Sequence, residues 1–194
     1  MRKDALAVFS LLALGILWAL GQEPKGLPYG APTREQVLRG RYLVVSMDCA
    51  GCHGGTPDPA NPGWLAGYDP KTNPQGAFQV GPIKAYAPNL TPDPETGLGQ
   101  WPPQAIFRAL REGKDVEGHA LCPPMPWPAF RYLNDQDLWA IVAYLVSLKP
   151  VKHAVPDPED ARNPGMHADC SFFYKDLNPL PISPYPTPNE EEVR

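Results

Sequence analysis

The chain has 194 residues with 17 basic and 21 acidic side chains, a formal net charge of −4, and it contains 27 prolines. It has no basic run and no basic patch with interleaved aromatic residues, which excludes the usual electrostatic footprint of a nucleic-acid-binding protein. The prolines concentrate between Gly26 and Pro103 and again after Lys149, so helices and central strands are excluded from much of the chain.

The N-terminus is typical of an export segment. A short basic start precedes an apolar run from Ala5 to Leu20, and small residues flank Leu20 as they do at a cleavage site. We expect residues 1–21 to be a signal peptide, followed by a linker over residues 22–32. The alternative is an uncleaved membrane anchor, although the run is shorter than the ~20 residues that cross a bilayer. Both interpretations place the rest of the chain in the periplasm.

The first predicted helix begins at Thr33 and runs to about Ala50. Thr33 and Gln36 form the sequence pattern of a capping box, in which each side chain accepts the backbone N–H of the other residue. Apolar residues recur behind them at helical spacing and predict one buried face. This face comprises Val37, Tyr42, Leu43, Val44 and Met47.

The helix leads into the pentapeptide Cys49-Ala50-Gly51-Cys52-His53, a CxxCH motif. CxxCH is the attachment signal of c-type haem, because two thiols on one helical turn can both form thioethers with the haem vinyl groups. His53 then supplies the proximal iron ligand. A zinc site would need a second ligand pair and a thioredoxin-like redox pair would need alternating strands and helices, and the sequence has neither. We expect one covalently attached haem c.

The segment between His53 and Asn89 has 35 residues, rich in glycine and proline, with no convincing helix or strand. A structureless stretch of this length normally argues against a compact domain. A haem changes the argument, since the macrocycle is itself a large apolar core and irregular chain wrapped around it buries surface. Long Gly/Pro-rich loops are therefore expected here.

Two further helices are predicted. One covers residues 103–112, opens with a proline and is followed by the helix-stopping Gly113. The other covers residues 135–148, with Asn134 as its N-cap and Pro150 beyond its end. The apolar spacing of this last helix predicts a buried face. It comprises Leu138, Ile141, Val142, Leu145 and Leu148.

Met125 is the predicted distal ligand of the haem iron. Prolines flank it on both sides, and a stiff loop holds a thioether in place through redox cycling. Met47 is too close to the motif to reach the opposite haem face, and Met166 lies in the C-terminal extension. The residue types leave two alternatives open, the imidazole of His119 and the thiolate of Cys122.

Cys122 and Cys170 remain after haem attachment, and in an oxidising compartment a leftover pair is most simply a disulfide. This disulfide would pin the C-terminal extension, residues 151–194, to the loop before Met125. The extension is rich in proline, and we expect it to lie partly on the domain as extended chain with a frayed acidic end.

These features together resemble a class I cytochrome c domain: the amphipathic helix that enters CxxCH, the Met125-Pro126-Trp127 loop and a last helix that ends with Tyr144-Leu145. The run from Asn89 to Gly99 is similar to the cytochrome c subunits of membrane-associated alcohol, aldehyde and gluconate dehydrogenases. The resemblance covers about residues 33–149. It implies an all-α class I cytochrome c fold, with few helices wrapped around one haem, for a domain over residues 33–150.

The resemblance also implies roles for particular residues. In class I domains a proline carbonyl commonly accepts the second N–H of the proximal histidine, and Pro82 is the candidate here. Trp101, Arg108 or Arg111 would meet a haem propionate, so that a buried carboxylate is not left unpaired. The first and last helices would cross, with Gly40 at the point of close approach. Three residues would pack at the crossing: Tyr42, Tyr144 and Leu145.

These expectations predict an electron carrier rather than an enzyme. We expect a monohaem c-type cytochrome that takes single electrons from a periplasmic dehydrogenase and passes them to an oxidase or another cytochrome. No acid–base pair is apparent near the motif, and no nucleic-acid partner is expected. The dehydrogenase subunits often carry three haem domains, whereas this chain has one CxxCH. The alternative is a haem enzyme that acts on a small sulfur compound or peroxide, with Cys122 or an open site at the iron.

Overall fold

The computed structural model describes residues 30–177 of the chain. The expected signal peptide or anchor, nearly all of the linker and residues 178–194 of the extension lie outside the described residues. Residues 32–177 belong to one compact unit. In the described range, no helix combines the length and the apolar character needed to cross a membrane.

Helices predominate between residues 30 and 177, and long irregular segments and one small sheet join them. The helices described are α1 (Arg34–Ser46), α2 (Cys49–His53), α3 (Pro103–Glu112), α4 (Trp127–Phe130) and α5 (Asp135–Ser147). The strands are β1 (Ala77–Val80), β2 (Ile83–Tyr86) and β3 (Glu159–Asp160). Short 3-10 turns cover Pro74–Gly76, Leu98–Gln100 and Ser171–Tyr174.

Helix α1 begins as the capping box predicts. The hydroxyl oxygen of Thr33 accepts the N–H of Gln36 (3.2 Å), and the side-chain oxygen of Gln36 accepts the N–H of Thr33 (3.0 Å). The predicted end near Ala50 is wrong, because Asp48 takes a left-handed conformation (φ 53°) after the helix has ended at Ser46. The CxxCH motif consequently forms a separate short helix, α2.

Helices α3 and α5 form where the sequence predicts them. Gly113 follows α3 with φ 67°, the left-handed conformation that glycine adopts without strain, and it ends the helix. The Asn134 side chain accepts the N–H of Asp137 (2.8 Å) and caps the start of α5. Helix α4 is a single turn that the sequence analysis does not predict.

Helices α1 and α5 cross where a glycine removes the side chain between them. A Cβ atom on Gly40 would lie 1.9 Å from the carbonyl oxygen of Ala140 and 2.8 Å from Tyr144 Cβ, so the backbones approach as predicted. Tyr144 and Leu145 are both buried. The expected packing of Tyr42 is wrong: the side chain is 61% exposed, because two residues turn a helix by about 200° and carry it away from the face of Gly40.

The expectation of an all-α fold is incomplete, because residues 77–86 form a hairpin. Strands β1 and β2 pair antiparallel, with Ala77 opposite Tyr86 and Val80 opposite Ile83. Strand β3, which belongs to the C-terminal extension, pairs antiparallel with the other edge of β2. The pairing of β3 with β2 therefore joins segments that are distant in sequence, and local residue patterns do not reveal it.

The extension is fixed to the domain beside this sheet. Cys122 and Cys170 form a disulfide with a Cα–Cα distance of 5.1 Å, as the leftover cysteines predict. Cys170 is fully buried and packs in a small apolar cluster. The other members of the cluster are Ile83, Ala85, Ala120, Cys122, Ala168, Phe172 and Phe173. The described part of the extension is thus packed chain with its own apolar contacts.

The helix crossing yields a stability prediction. Gly40→Ala should lower the free energy of unfolding by about 1–3 kcal/mol, because a methyl group has no room against the Ala140 backbone. The loss should appear in denaturant unfolding even though alanine has a helix propensity better by ~1 kcal/mol than glycine. Arg41→Ala, at the exposed neighbouring position, is the control and should change stability by less than about 0.5 kcal/mol. A more stable Gly40→Ala variant would contradict the crossing.

Candidate haem site

Cys49 and Cys52 lie three residues apart on α2, and both are free thiols. Burial raises the pKa of the Cys49 thiol to about 11, and burial also raises the pKa of the Cys52 thiol, with the carboxylate of Asp48 adding to both shifts. Both thiols are therefore protonated at neutral pH. Addition of a thiol to a haem vinyl group consumes the S–H, so protonated thiols suit this attachment.

His53 ends α2 as a buried, neutral imidazole. Its side chain is only 6% exposed, and burial lowers its pKa, so the ring carries no charge at neutral pH. Nδ1 lies 2.8 Å from the carbonyl oxygen of Pro88, and because a carbonyl only accepts, Nδ1 must carry the proton. The lone pair of Nε2 is thereby left for a metal, the arrangement that metal-ligating histidines usually have.

The carbonyl partner of His53 is Pro88, and the expectation that Pro82 takes this role is wrong. The Pro82 carbonyl accepts the N–H of Ala161 (2.9 Å) in the hairpin turn next to the extension, and Pro88 takes the expected role. Both prolines follow a small residue at an end of β2, so residue type does not separate them. The usable signal is position, since Pro88 directly precedes the Asn89–Gly99 run that carries the resemblance.

Asn73 holds the end of the CxxCH turn, a role that was not predicted from the sequence. Its buried side-chain amide donates to the carbonyl oxygens of Cys52 (2.7 Å) and Gly67 (2.9 Å). The N–H of Gly67 in turn donates to the carbonyl of His53 (2.6 Å). The bonds to the Cys52 and His53 carbonyls satisfy groups that a short helix leaves unpaired at its C-terminus, and the bond to Gly67 joins the following loop to the same point. A cap that comes from 21 residues downstream leaves no local sequence signal.

The Asn89–Gly99 run forms a loop that its own side chains shape. The side-chain oxygen of Asn89 accepts from the N–H (2.9 Å) and the hydroxyl (2.8 Å) of Thr91. The carboxylate of Asp93 accepts from the N–H (2.8 Å) and the hydroxyl (2.7 Å) of Thr96, and these hydrogen bonds lower the pKa of Asp93. The Asp93 carboxylate is therefore used within the loop. The loop begins directly after Pro88, whose carbonyl oxygen accepts from His53.

Met125 lies half-buried in the loop between α3 and α4. Its N–H donates to the carbonyl of Cys122 (3.2 Å), so the Cys-Pro-Pro-Met segment forms a turn. Cys122 is held in the disulfide and has no thiolate to offer an iron. Trp127, two residues on, is buried against Gly113, where a Cβ atom would lie 2.1 Å from the indole ring. The loop is fixed on both sides of Met125.

The candidates for propionate contacts lie in and before α3. Trp101 is half-buried, and its N–H donates to the carbonyl of Leu98 (2.9 Å). Arg108 is exposed on α3 and forms no salt bridge with any residue between 30 and 177. Arg111 instead donates to the Arg131 carbonyl and the Asp135 carboxylate, which removes it from the candidates.

The donor set fits a covalently attached haem. Two protonated thiols lie on one turn of α2, and the next residue is a neutral imidazole whose Nδ1–H is occupied and whose Nε2 is free. The backbone around this turn is held by side chains that do not themselves serve as ligands. This combination of thiols and an oriented histidine is the site of a c-type cytochrome.

Comparisons with known proteins agree with this class. The family model described as Cytochrome c matches residues 37–149, more than half of the chain. The chain belongs to the cytochrome c family. Covalently attached haem c is the cofactor that membership implies.

Relatives of the chain include components of several dehydrogenases. A nicotinate dehydrogenase subunit from Pseudomonas putida is 37% identical over 151 residues, 77% of this chain and 12% of that protein. The fructose dehydrogenase cytochrome subunit of Gluconobacter japonicus is 33% identical over 154 residues, 79% of this chain and 29% of that protein. The gluconate 2-dehydrogenase cytochrome c subunit of Pantoea cypripedii is 34% identical over 127 residues, 63% of this chain and 26% of that protein.

These matches confirm the resemblance to cytochrome c subunits of dehydrogenases that the Asn89–Gly99 run indicates. The chain spans less than a third of the length of each of the three relatives. What it shares with them is therefore a cytochrome c domain with its flanking residues.

The Asn73 cap yields a second prediction. Asn73→Ala should lower the free energy of unfolding of the haem-loaded protein by about 1–3 kcal/mol, because two buried carbonyl groups lose their donor. Denaturant unfolding followed by haem absorbance measures the loss. Asn61→Ala is the matched control, since Asn61 is exposed and caps a surface turn through the N–H of Gly63 (2.8 Å). Equal stability losses in the two variants would show that Asn73 does not support the motif.

Proposed function

We propose that the chain is a monohaem c-type cytochrome that carries single electrons between a dehydrogenase and a downstream acceptor. The observation that carries this proposal is the state of His53, which is buried, neutral and oriented by Pro88 directly after two thiols on one turn. Cys49 and Cys52 hold the haem covalently, and His53 binds the iron through Nε2. When bound, haem c supplies a reversible one-electron couple.

Met125 is the proposed distal ligand. Its loop is fixed by the Cys122–Cys170 disulfide before it and by buried Trp127 after it, so a thioether there loses little freedom on binding iron. The alternatives are weaker, because Cys122 has no thiolate and His119 is engaged with the Asp115 carboxylate. Histidine–methionine ligation raises the reduction potential relative to two histidines.

Trp101 and Arg108 are the proposed partners of the haem propionates. Arg108 supplies a guanidinium that no carboxylate between residues 30 and 177 neutralises. Trp101 supplies an indole N–H at the start of α3, half-buried next to that helix. A cation and a neutral donor together would satisfy a carboxylate that burial would otherwise destabilise.

The partners are proposed from the relatives. Several relatives carry the names of cytochrome subunits of dehydrogenases, so a dehydrogenase is the proposed electron donor and an oxidase or another cytochrome the acceptor. An extracytoplasmic location is supported by the Cys122–Cys170 disulfide, which persists in an oxidising compartment. The alternative function is a haem enzyme with an open iron site, and the spectrum of the oxidised protein distinguishes it from an electron carrier.

The ligation is tested by spectroscopy of the oxidised protein. The wild type should show a near-infrared methionine–iron charge-transfer band, and Met125→Ala should lose it and become high-spin because the distal thioether is gone. Met166→Ala is the matched control, since Met166 is 67% exposed, and it should keep the band. A high-spin spectrum in the wild type would overturn the carrier and favour the haem enzyme.

The number of haems is tested by mass and by redox titration. One CxxCH predicts that the intact protein gains the mass of a single haem and that its absorbance follows one one-electron Nernst curve. Cys49→Ser with Cys52→Ser should leave haem that acid–acetone extracts, while the doubly thioether-bonded wild type should keep it. Two waves in the titration of a monomeric protein would contradict a single haem.

A further inference from the structure

A second cluster of metal-binding side chains lies outside the proposed haem site. It consists of Asp115, His119 and His167, which each offer one ligand atom within 4.8 Å of the other two. The imidazole rings of His119 and His167 stack, with centroids 4.5 Å apart and an angle of 27° between the planes. Two segments that are distant in sequence thus present two imidazoles and a carboxylate to one point.

The disulfide explains why the two histidines meet. Cys122 follows His119 by three residues, and Cys170 follows His167 by three residues. The covalent bond between the cysteines therefore brings the two preceding segments side by side. Glu159 of β3 also pairs with His167 in an antiparallel bridge, so the backbone of the extension is held there by the sheet as well.

The carboxylate is oriented by its own turn. One oxygen of Asp115, Oδ1, accepts the N–H groups of Glu117 (2.9 Å) and His119 (2.8 Å). The other oxygen, Oδ2, then faces the imidazole of His119 at 3.1 Å from Nδ1. The N–H of Asp115 donates to the carbonyl of His119 (3.0 Å), which closes the turn. The Asp115 carboxylate is thus oriented by hydrogen bonds that need no metal.

The surroundings of the cluster favour a cation. Glu117 places a second carboxylate oxygen 3.4 Å from His119 Nδ1. His167 also lines a cavity of about 390 Å³ that is open to solvent and is shared with Asp169 and Arg162, so the cluster is reached from solvent on its His167 side. No lysine or arginine pairs with Asp115 or Glu117 among residues 30–177, and the imidazole of His119 is the group that both carboxylates approach.

We propose that Asp115, His119 and His167 bind a divalent transition-metal ion of the zinc type. Two imidazoles and one carboxylate are a donor set that suits Zn²⁺ and are too rich in nitrogen for Ca²⁺ or Mg²⁺. Water completes a four-coordinate ion. The metal joins the turn of residues 114–120 to the extension and so forms a second cross-link beside the disulfide. None of its three ligands takes part in the proposed haem site.

Calorimetric titration of the full-length, haem-loaded, tag-free protein with ZnCl₂ tests the site. We expect one ion to bind per chain. His119→Ala and His167→Gln should each weaken binding by at least about tenfold, the loss that removal of even an outer-sphere partner causes. Asp115→Asn keeps a side-chain oxygen for the turn but loses the charge, and it should weaken binding as well. Added Zn²⁺ should also raise the unfolding temperature of the wild type but not of the histidine variants.

His153→Gln is the matched control, because it removes a histidine that contacts the Tyr68 carbonyl (2.8 Å) instead of the cluster. It should bind Zn²⁺ like the wild type. Unchanged haem absorbance and circular dichroism show that each variant is folded, and the exposed position of His167 makes His167→Gln the safest of them. Absence of stoichiometric binding in the wild type, or equal affinity of His167→Gln and wild type, would overturn the proposal.

Discussion

The hydrogen bond from His53 Nδ1 to the Pro88 carbonyl oxygen is the contact on which the site depends. It leaves Nε2 as the free imidazole nitrogen. The hydrogen bond forms only if two separate segments of the chain are held next to each other. Helix α2 brings His53 from one side, with its end tied down by Asn73. The loop after Pro88 comes from the other side, and the Asn89 amide ties it to the carbonyl of Val151 (2.8 Å). These contacts hold the two segments together around the hydrogen bond.

The extension takes part in that task. The N–H of His153 donates to the hydroxyl of Thr96 (3.0 Å), so the first residues after α5 brace the loop that follows Pro88. Further on, β3 completes the sheet, and the disulfide reaches the segment that precedes Met125. Residues 151–177 therefore support both faces of the proposed haem site. The proline-rich composition predicts extended chain lying partly on the domain, and the described part of the extension is held there by side-chain and backbone contacts.

The features that the sequence predicts correctly are those set by residues within a few positions of one another. The Thr33–Gln36 box, Gly113 and the Asn134 cap each act within one helical turn, and α1, α3 and α5 begin or end at them. CxxCH is likewise a local signal, because its chemistry needs only one turn. The hairpin, the Pro88 contact and the Asn73 cap were not predictable in this way. The Pro88 contact and the Asn73 cap each depend on a partner far along the chain, and residue type alone does not distinguish Pro82 from Pro88. The hairpin is local, but it lies in a segment whose Gly/Pro-rich composition suggests irregular chain.

The proposed axial ligands share a physical property that suits electron transfer. Each is positioned by contacts that do not involve the iron: His53 by the Pro88 carbonyl, and Met125 by the disulfide before it and buried Trp127 after it. A ligand held by its own surroundings has little freedom to lose on binding and little reason to move when the iron changes charge. Burial of His53 strengthens this effect, because the lowered pKa of the imidazole removes protonation as a competitor for Nε2. The irregular chain after CxxCH supplies both Asn73 and Pro88, so a segment with few helices or strands still positions the proximal ligand.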